Sequence, residues 1–345
     1  MNTAYMKIWG KLVGAVAWDE SRGLTSFEYD SNFKKTGYDL APLKMPITSE
    51  KSIFSFPELK RKESQSDTFK GLPGLLADAL PDRYGNDLIN IWLAQQGRAS
   101  DSMNPVEMLC FIGKRAMGAL EFEPVTLKEN KLHNAIEVKN LIEIAQKLLA
   151  KKVDFSANLD ENEEKALMQI LKIGTSAGGA RPKAVIAYNE QTGEVRSGQT
   201  IAPKGFNHWL LKLDGVSDIQ LGESQGYGRV EMAYYNMAVA CGIEMMPSKL
   251  LEENGRSHFM TKRFDREGGD IKHHIQTFCA MKHFDFNAVT SFSYEQLFQT
   301  MRELRLSYPE AEQMFRRMVF NVLARNCDDH TKNFSFILKN EVIGN

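Results

Sequence analysis

The sequence predicts an α+β protein of two lobes, with a β-rich subdomain at its start and a mainly helical lobe at its C-terminal end. Three observations carry this. Short strand-like runs punctuated by glycine open the chain. A second strand-rich stretch begins at Gly174. Long amphipathic segments then lead to an acidic loop near the end. At 345 residues the chain is longer than one simple core, at roughly 100–200 residues per domain.

Strands are expected over Met6 to Trp9, Ala15 to Trp18 and Leu24 to Tyr29, because apolar and β-branched residues there are bounded by Gly10, Gly14 and Gly23. Ile53 to Lys70 is polar and irregular. In GLPGLLADALPDRYGNDLINIWLAQQG, residues 71–97, Pro81 and Gly85 break the pattern and Asp87 to Gln96 reads as a helix. Ile136 to Lys151 repeats apolar residues at helical spacing, and Asn162 to Ile173 is a second helix candidate.

From Gly174 the pattern changes. A Gly-rich turn precedes the apolar run Ala184 to Tyr188, and a turn at Thr192–Gly193 leads to a strand over Trp209 to Leu213. An amphipathic helix follows, with Val230, Ala233, Tyr234, Met237 and Cys241 on one face and Gly242 at its C-terminal stop. His258 to Thr261 is a further strand. The rest is mostly helical to Asn326, and Phe334 to Leu338 is strand-like. Gly-rich hairpin, strand with a lysine, helix, strand, helices and acidic loop, in that order, suggest a nucleotide site between two lobes.

Composition removes several classes. The net charge of -1 gives no footprint for nucleic acid on the chain's own account. Cys110, Cys241, Cys279 and Cys327 are far apart, against a zinc site or a disulfide framework and in favour of reduced thiols. The apolar run Leu12 to Trp18 is too short for a signal peptide and meets Asp19 at once, and no run reaches the roughly 18 apolar residues of a membrane span. A cytoplasmic protein is expected.

Four segments could carry chemistry. In GTSAGGARPK, residues 174–183, small residues allow backbone N–H groups close to a phosphate and Lys183 adds charge; read alone, it is equally a plain turn. Lys212 lies in the apolar strand WLLKLDG, where an unpaired ammonium is costly. Downstream of a Gly-rich hairpin it can reach phosphates, but its alternation with Trp209, Leu211 and Leu213 also fits an outward-facing lysine. Glu231, on the next helix, either pairs with that lysine or is a solvated charge.

The fourth segment, ARNCDDHTKNFSFIL at 324–338, is the strongest. Asp328 and Asn333 are five residues apart, the spacing of the kinase catalytic aspartate and its metal-binding asparagine, and this spacing selects Asp328 over Asp329. A capping turn is the alternative, yet two adjacent carboxylates repel without a cation. His330 is read as a hydrogen-bonding member of the loop, since no other His or Cys stands at ligand spacing; the adjacent His273 and His274 suit a loop.

With these segments in order, CDDHTKN, SAGGARPK, KRFDRE and LLADALPDRYG resemble the HipA serine/threonine kinases of bacterial toxin–antitoxin systems, from about residue 5 to the end of the chain. The resemblance implies a protein-kinase-like fold divided into a HipA-type N-terminal subdomain at 1–125, a kinase N-lobe-like part at 126–265 and a helical C-lobe at 266–345. It implies Asp328 as catalytic base, Asn333 as magnesium ligand, and Lys212 as the phosphate-binding lysine. His330 matches the loop histidine, and Met260 to Phe264 match the hinge strand, with Phe264 near the base. Ser176, Ala177, Gly178, Gly179 and Lys183 would line ATP, and Ser176 matches the autophosphorylated serine. Partners implied are a HipB-like helix-turn-helix antitoxin, operator DNA mainly through it, and an aminoacyl-tRNA ligase as substrate. A non-catalytic corepressor of the same fold is the alternative. Kinases hold magnesium with a second aspartate, and none follows Asn333 here. The family runs on past this point, and the apolar strand at Phe334 to Leu338 lacks a hairpin partner in the sequence, so a truncated chain is expected rather than a pseudokinase.

Overall fold

The computed structural model describes residues 2–62, 67–81, 83–95, 97–125, 183–198, 201–214, 226–253, 255–268 and 271–340. The expected helices at 136–151 and 162–173, and the Gly-rich segment 174–182 with Ser176, Ala177, Gly178 and Gly179, lie outside them.

Strands β1 (Thr3–Ile8), β2 (Lys11–Asp19), β3 (Leu24–Tyr29) and β4 (Ile53–Phe54) are joined by β5 (Leu120–Pro124) in an antiparallel sheet of order β4-β3-β2-β1-β5. Side chains alternate across each strand, so Ala4, Met6 and Ile8 point inward with Val13, Val16, Trp18 and Phe27. The inner face is covered by a turn α1 (Ser31–Lys34), a turn α2 (Gly74–Ala77), and helices α3 (Arg83–Gln95) and α4 (Pro105–Ile112). Asn104 and Glu107 close a capping box at the start of α4, with Pro105 at its first turn, where the missing N–H costs nothing.

The second antiparallel sheet runs β7-β6-β8-β10-β9, from β6 (Lys183–Tyr188), β7 (Val195–Ser197), β8 (Asn207–Lys212), β9 (Ser248–Glu253) and β10 (Arg256–Lys262). Helix α5 (Tyr227–Ala240) lies between β8 and β9 and ends at Gly242, whose φ of +73° is the left-handed stop expected of it. Ala184, Ile186, Trp209, Leu211 and Met260 share one apolar cluster with the first sheet, so both sheets belong to a continuous core.

The last part holds the pairs β11 (Arg266–Glu267) with β12 (Ile271–Lys272) and β13 (His274–Thr277) with β14 (Ser335–Leu338), and helices α6 (Phe278–Lys282), α7 (Tyr294–Glu303) and α8 (Tyr308–Leu323). Phe278, Leu297, Met301 and Met314 form its own small core.

Four expectations are corrected here. The strand at the end of the chain is paired: Ser335 to Leu338 lie against Thr277 to His274, a partner 61 residues upstream that local sequence cannot indicate. His274 opens that strand rather than a loop, while His273 is the single linking residue before it, and both are buried. The apolar face of α5 is exposed at Val230, Tyr234 and Met237, while Gly228 and Ala238 are its buried positions. On α8 only Met314 is buried, with Phe315, Val319, Val322 and Leu323 exposed. Periodicity reports an apolar face, not whether a neighbour covers it.

Candidate active site

Strand β8 lies between β6 and β10, and its last residue, Lys212, faces Lys183 on one side and Phe259 on the other. Residues directly opposite in antiparallel strands point the same way, so two ammonium-bearing side chains share one face, an arrangement disfavoured unless negative charge meets it. Glu231 on α5 supplies such a charge: Lys212 Nζ donates to its Oε2 at 2.6 Å. The ammonium also stands 5.8 Å from the centre of the Phe259 ring. The side chains of Lys212 and Glu231 are 38% and 27% exposed, so the pair contributes only about 0–1 kcal/mol to stability. Its effect is to aim a lysine.

At the far end, α8 closes on Ala324 and Arg325 takes φ +53°, turning the chain into the acidic loop. Asn326 N–H donates to Asn321 C=O at 2.8 Å, and its side chain pairs with that of Asn321 at 3.1 Å. These bonds cap the helix, which leaves the aspartates for other tasks. The two separate. Asp329 accepts from Tyr294 Oη at 2.5 Å, and Asn321 Nδ2 donates to the same hydroxyl. Burial, reinforced by the Asp329 carboxylate, pushes the Tyr294 phenol up to about 12, so it stays a donor. Asp328 keeps its side chain 87% exposed. The loop therefore holds one carboxylate as structure and presents the other.

Asn333 Nδ2 donates to Asp328 C=O, and Asn333 N–H donates to His330 C=O at 2.9 Å. With Nδ2 so placed, the amide oxygen is the atom left for a cation, and an oxygen donor beside a carboxylate suits magnesium. His330 Nε2 lies 3.6 Å from Asp328 Oδ1, an ion-pair distance too long for the expected hydrogen bond, while its ring packs on Phe286 with centroids 5.1 Å apart. Phe278, Phe286, Tyr294 and Phe334 line a cavity of about 210 Å³ beneath Asp328 and His330. Among the described residues no group of three His, Cys, Asp or Glu could hold a metal ion by itself.

One contact ties the two ends together. Tyr234, three residues after Glu231 and so on the same side of α5, donates from Oη to Ala324 C=O at 2.8 Å. Helix α5 thus grips Lys212 one turn away from where it grips the root of the Asp328 loop. The sequence places Tyr234 on the apolar face of this helix and gives no sign of its hydroxyl's partner, which lies 90 residues away.

Models of HipA domains match the chain twice: the HipA N-terminal domain over residues 4–123 and the HipA-like C-terminal domain over residues 175–343. This chain belongs to the HipA family. Among solved structures it is similar to the HipA of Shewanella oneidensis MR-1, in a complex with HipB and operator DNA. The two are 17% identical with a TM-score of 0.62, over 97% of this chain and 72% of that one. That likeness gives the fold, which is kinase-like. No curated protein matches the sequence significantly.

The two HipA regions meet at KRFDRE. Phe264 is 43% exposed, whereas its neighbours turn inward. Asp265 is fully buried and takes a bidentate bond from Arg263 at 2.8 and 2.6 Å, one from Arg266 at 2.7 Å and one from Gly118 N–H at 2.7 Å. Arg266 also donates to Gly118 C=O at 2.9 Å. Burial alone would raise the Asp265 carboxyl, but the two guanidiniums and the donated hydrogen bonds hold it far below the usual carboxylate range. The motif thus locks the N-terminal region to the strand end that carries Phe264. The hinge reading of Met260 to Phe264 does not extend to Asp265 and did not anticipate this lock, because its N-terminal partner Gly118 is 147 residues away.

Proposed function

We propose that this HipA-family chain is the toxin of a HipA/HipB-like toxin–antitoxin module and acts as an ATP-dependent serine/threonine protein kinase. The Lys212–Glu231 pair carries the reading, since a strand lysine fixed by a helix glutamate is the phosphate-orienting device of kinases. Lys212 and Lys183 meet the phosphates from one face of the sheet, and Phe264 offers an aromatic surface for adenine. Asp328 accepts the proton of a substrate hydroxyl as that oxygen attacks the terminal phosphorus of ATP, the bridging P–O bond breaks and ADP leaves with its electron pair. Asn333 would hold magnesium through its amide oxygen, and the ion would supply neutralisation of phosphate charge. His330, packed on Phe286, keeps the loop in shape.

Ser176 in the Gly-rich segment is the proposed autophosphorylation site. A phosphate there carries about -1.5 to -2 charge and competes with ATP for the same backbone donors. The partners proposed are a HipB-like helix-turn-helix antitoxin, operator DNA mainly through it, and a protein substrate of the aminoacyl-tRNA ligase class. No helix of the described residues is long and apolar enough to cross a membrane, and a cytoplasmic location fits these partners.

A non-catalytic corepressor of the same fold is the second reading. Labelled ATP with magnesium, followed by peptide mapping, separates the two. Label on Ser176 is the expected result; bound nucleotide with no label, on a chain shown to be unphosphorylated, supports the corepressor.

A further inference from the structure

Asp78 belongs to the N-terminal region, yet both its carboxylate oxygens are turned to the other side of the molecule. Oδ2 accepts from Thr277 N–H at 2.6 Å and Oδ1 accepts from Thr277 Oγ1 at 2.7 Å. Thr277 is the last residue of β13 and the N-cap of α6, its Oγ1 accepting from Ala280 N–H at 3.1 Å. It stands opposite Ser335 in the β13–β14 register, and the next residue, Phe278, donates its N–H to Phe334 C=O at 2.8 Å. Phe334 directly follows Asn333. The path from Asp78 to the Asp328 loop is therefore one side chain, one strand end and one backbone bond long.

Neighbouring contacts make this junction rigid. A Cβ on Gly74 would come within 2.2 Å of Ala280 C=O, so α2 and α6 touch backbone to backbone. Gly74 N–H donates to His283 Nε2 at 3.0 Å, and Thr68 Oγ1 donates to Asp285 Oδ1 at 2.5 Å. Phe286, next to Asp285, meets the His330 ring on one side and the Lys332 ammonium, 5.4 Å from its centre, on the other. Burial raises the Asp78 carboxyl, while Thr277 and the charge of Lys332 oppose that rise, which places the loop lysine within electrostatic reach of Asp78. A carboxylate placed at such a junction is costly unless its acceptors are filled, and Thr277 fills both.

We propose that Asp78 is a positioning residue for the Asp328 loop: by holding Thr277 through two hydrogen bonds, it lets the N-terminal region set the geometry of Asp328 and Asn333. The consequence for phosphate transfer rests on the kinase reading above; the effect on the loop does not.

The test uses Asp78→Asn, which keeps the Thr277 cap on α6, together with Thr277→Val and Thr277→Ser in the full chain. Amide hydrogen exchange is read over 327–334 and over β1–β3 as an internal reference. Asp78→Asn and Thr277→Val are expected to speed exchange at 327–334 about tenfold or more, with β1–β3 unchanged and Thr277→Ser close to the parent chain. In phosphate transfer the same variants should lose about ten- to a hundredfold in kcat with KM for ATP within about twofold. Unchanged exchange at 327–334 in both variants, or equal acceleration across the whole chain, overturns the proposal. If Asp78→Asn does not fold, the contrast between Thr277→Val and Thr277→Ser decides. A parent chain that transfers no phosphate counts against the kinase reading, while the exchange data still decide the role of Asp78.

Discussion

Lys212 on β8 and Glu231 on α5 lie 2.6 Å apart, and the same helix, through Tyr234, holds the carbonyl of Ala324 where the Asp328 loop begins. One helix therefore sets both the lysine proposed to meet phosphate and the base of the loop proposed to meet substrate. Glu231→Gln keeps the shape and removes the charge. It should raise KM for ATP and lower kcat/KM about ten- to a hundredfold, with thermal stability nearly unchanged because the pair is partly open to solvent. Steady-state kinetics beside a thermal melt checks this.

Tyr234→Phe removes only the hydroxyl that bonds Ala324 C=O. The carbonyl is left to water, so the stability loss should stay near about 1 kcal/mol. The expected effect is on kcat, a fall of several-fold with ATP affinity kept, measured by titrating nucleotide into the same variant.

Asp265→Asn leaves Arg263 and Arg266 buried without their counter-charge. Removing one partner of a buried pair costs about 3–5 kcal/mol, so urea denaturation should show a loss of that size. Arg115→Ala, by contrast, removes a side chain that bonds the nearby carbonyls of Ile112 and Phe111, and should act locally.

Acid should loosen the fold in a defined window. Burial lowers His274 to about 4 and His283 to about 3, so both are neutral in the folded chain while an unfolded histidine takes its proton near 6.5. The unfolded state then binds more protons as pH falls. The stabilisation is complete above about pH 6.5 and is lost down to about pH 4 for His274 and about pH 3 for His283, at up to about 1.4 kcal/mol per pH unit for each histidine. Asp78, raised by burial, opposes this at the acid end. His283 Nε2 must stay unprotonated to accept from Gly74 N–H, so His283→Gln should flatten the slope of denaturation midpoint against pH between 4 and 6.5.

Much of the fold was legible because local patterns specify it. Leu24 to Tyr29 falls on its strand residue for residue, the runs at 184–188 and 258–261 lie on strands of the second sheet, and the run at 209–213 does so up to Lys212, where its strand ends. Of the two readings left open for Glu231, the pair with Lys212 is the one present, since strand and helix follow each other closely in sequence. What was not legible is long-range. The strand at 335–338 finds β13, Asp265 finds Gly118, and Asp78 finds Thr277 across separations that no window of sequence reports. Strand β9 and helix α4 were also missed: Ser248–Glu253 is mixed in polarity, and Pro105 reads as a breaker until its place at a helix start is known. The split between Asp328 and Asp329 follows spacing on one side and the Tyr294 hydroxyl on the other, and only the first is visible in the sequence.

The central claim is that Asp328 carries phosphate transfer on a site that binds nucleotide independently of it. The most direct measurement compares the full-length chain with Asp328→Ala for transfer of labelled phosphate from ATP and for nucleotide affinity in the same samples. Transfer should fall by about a thousandfold or more, with ATP affinity within a few-fold and the melting temperature unmoved, since the Asp328 side chain is exposed. An Asp328→Ala chain that still transfers phosphate at the parent rate would contradict the account.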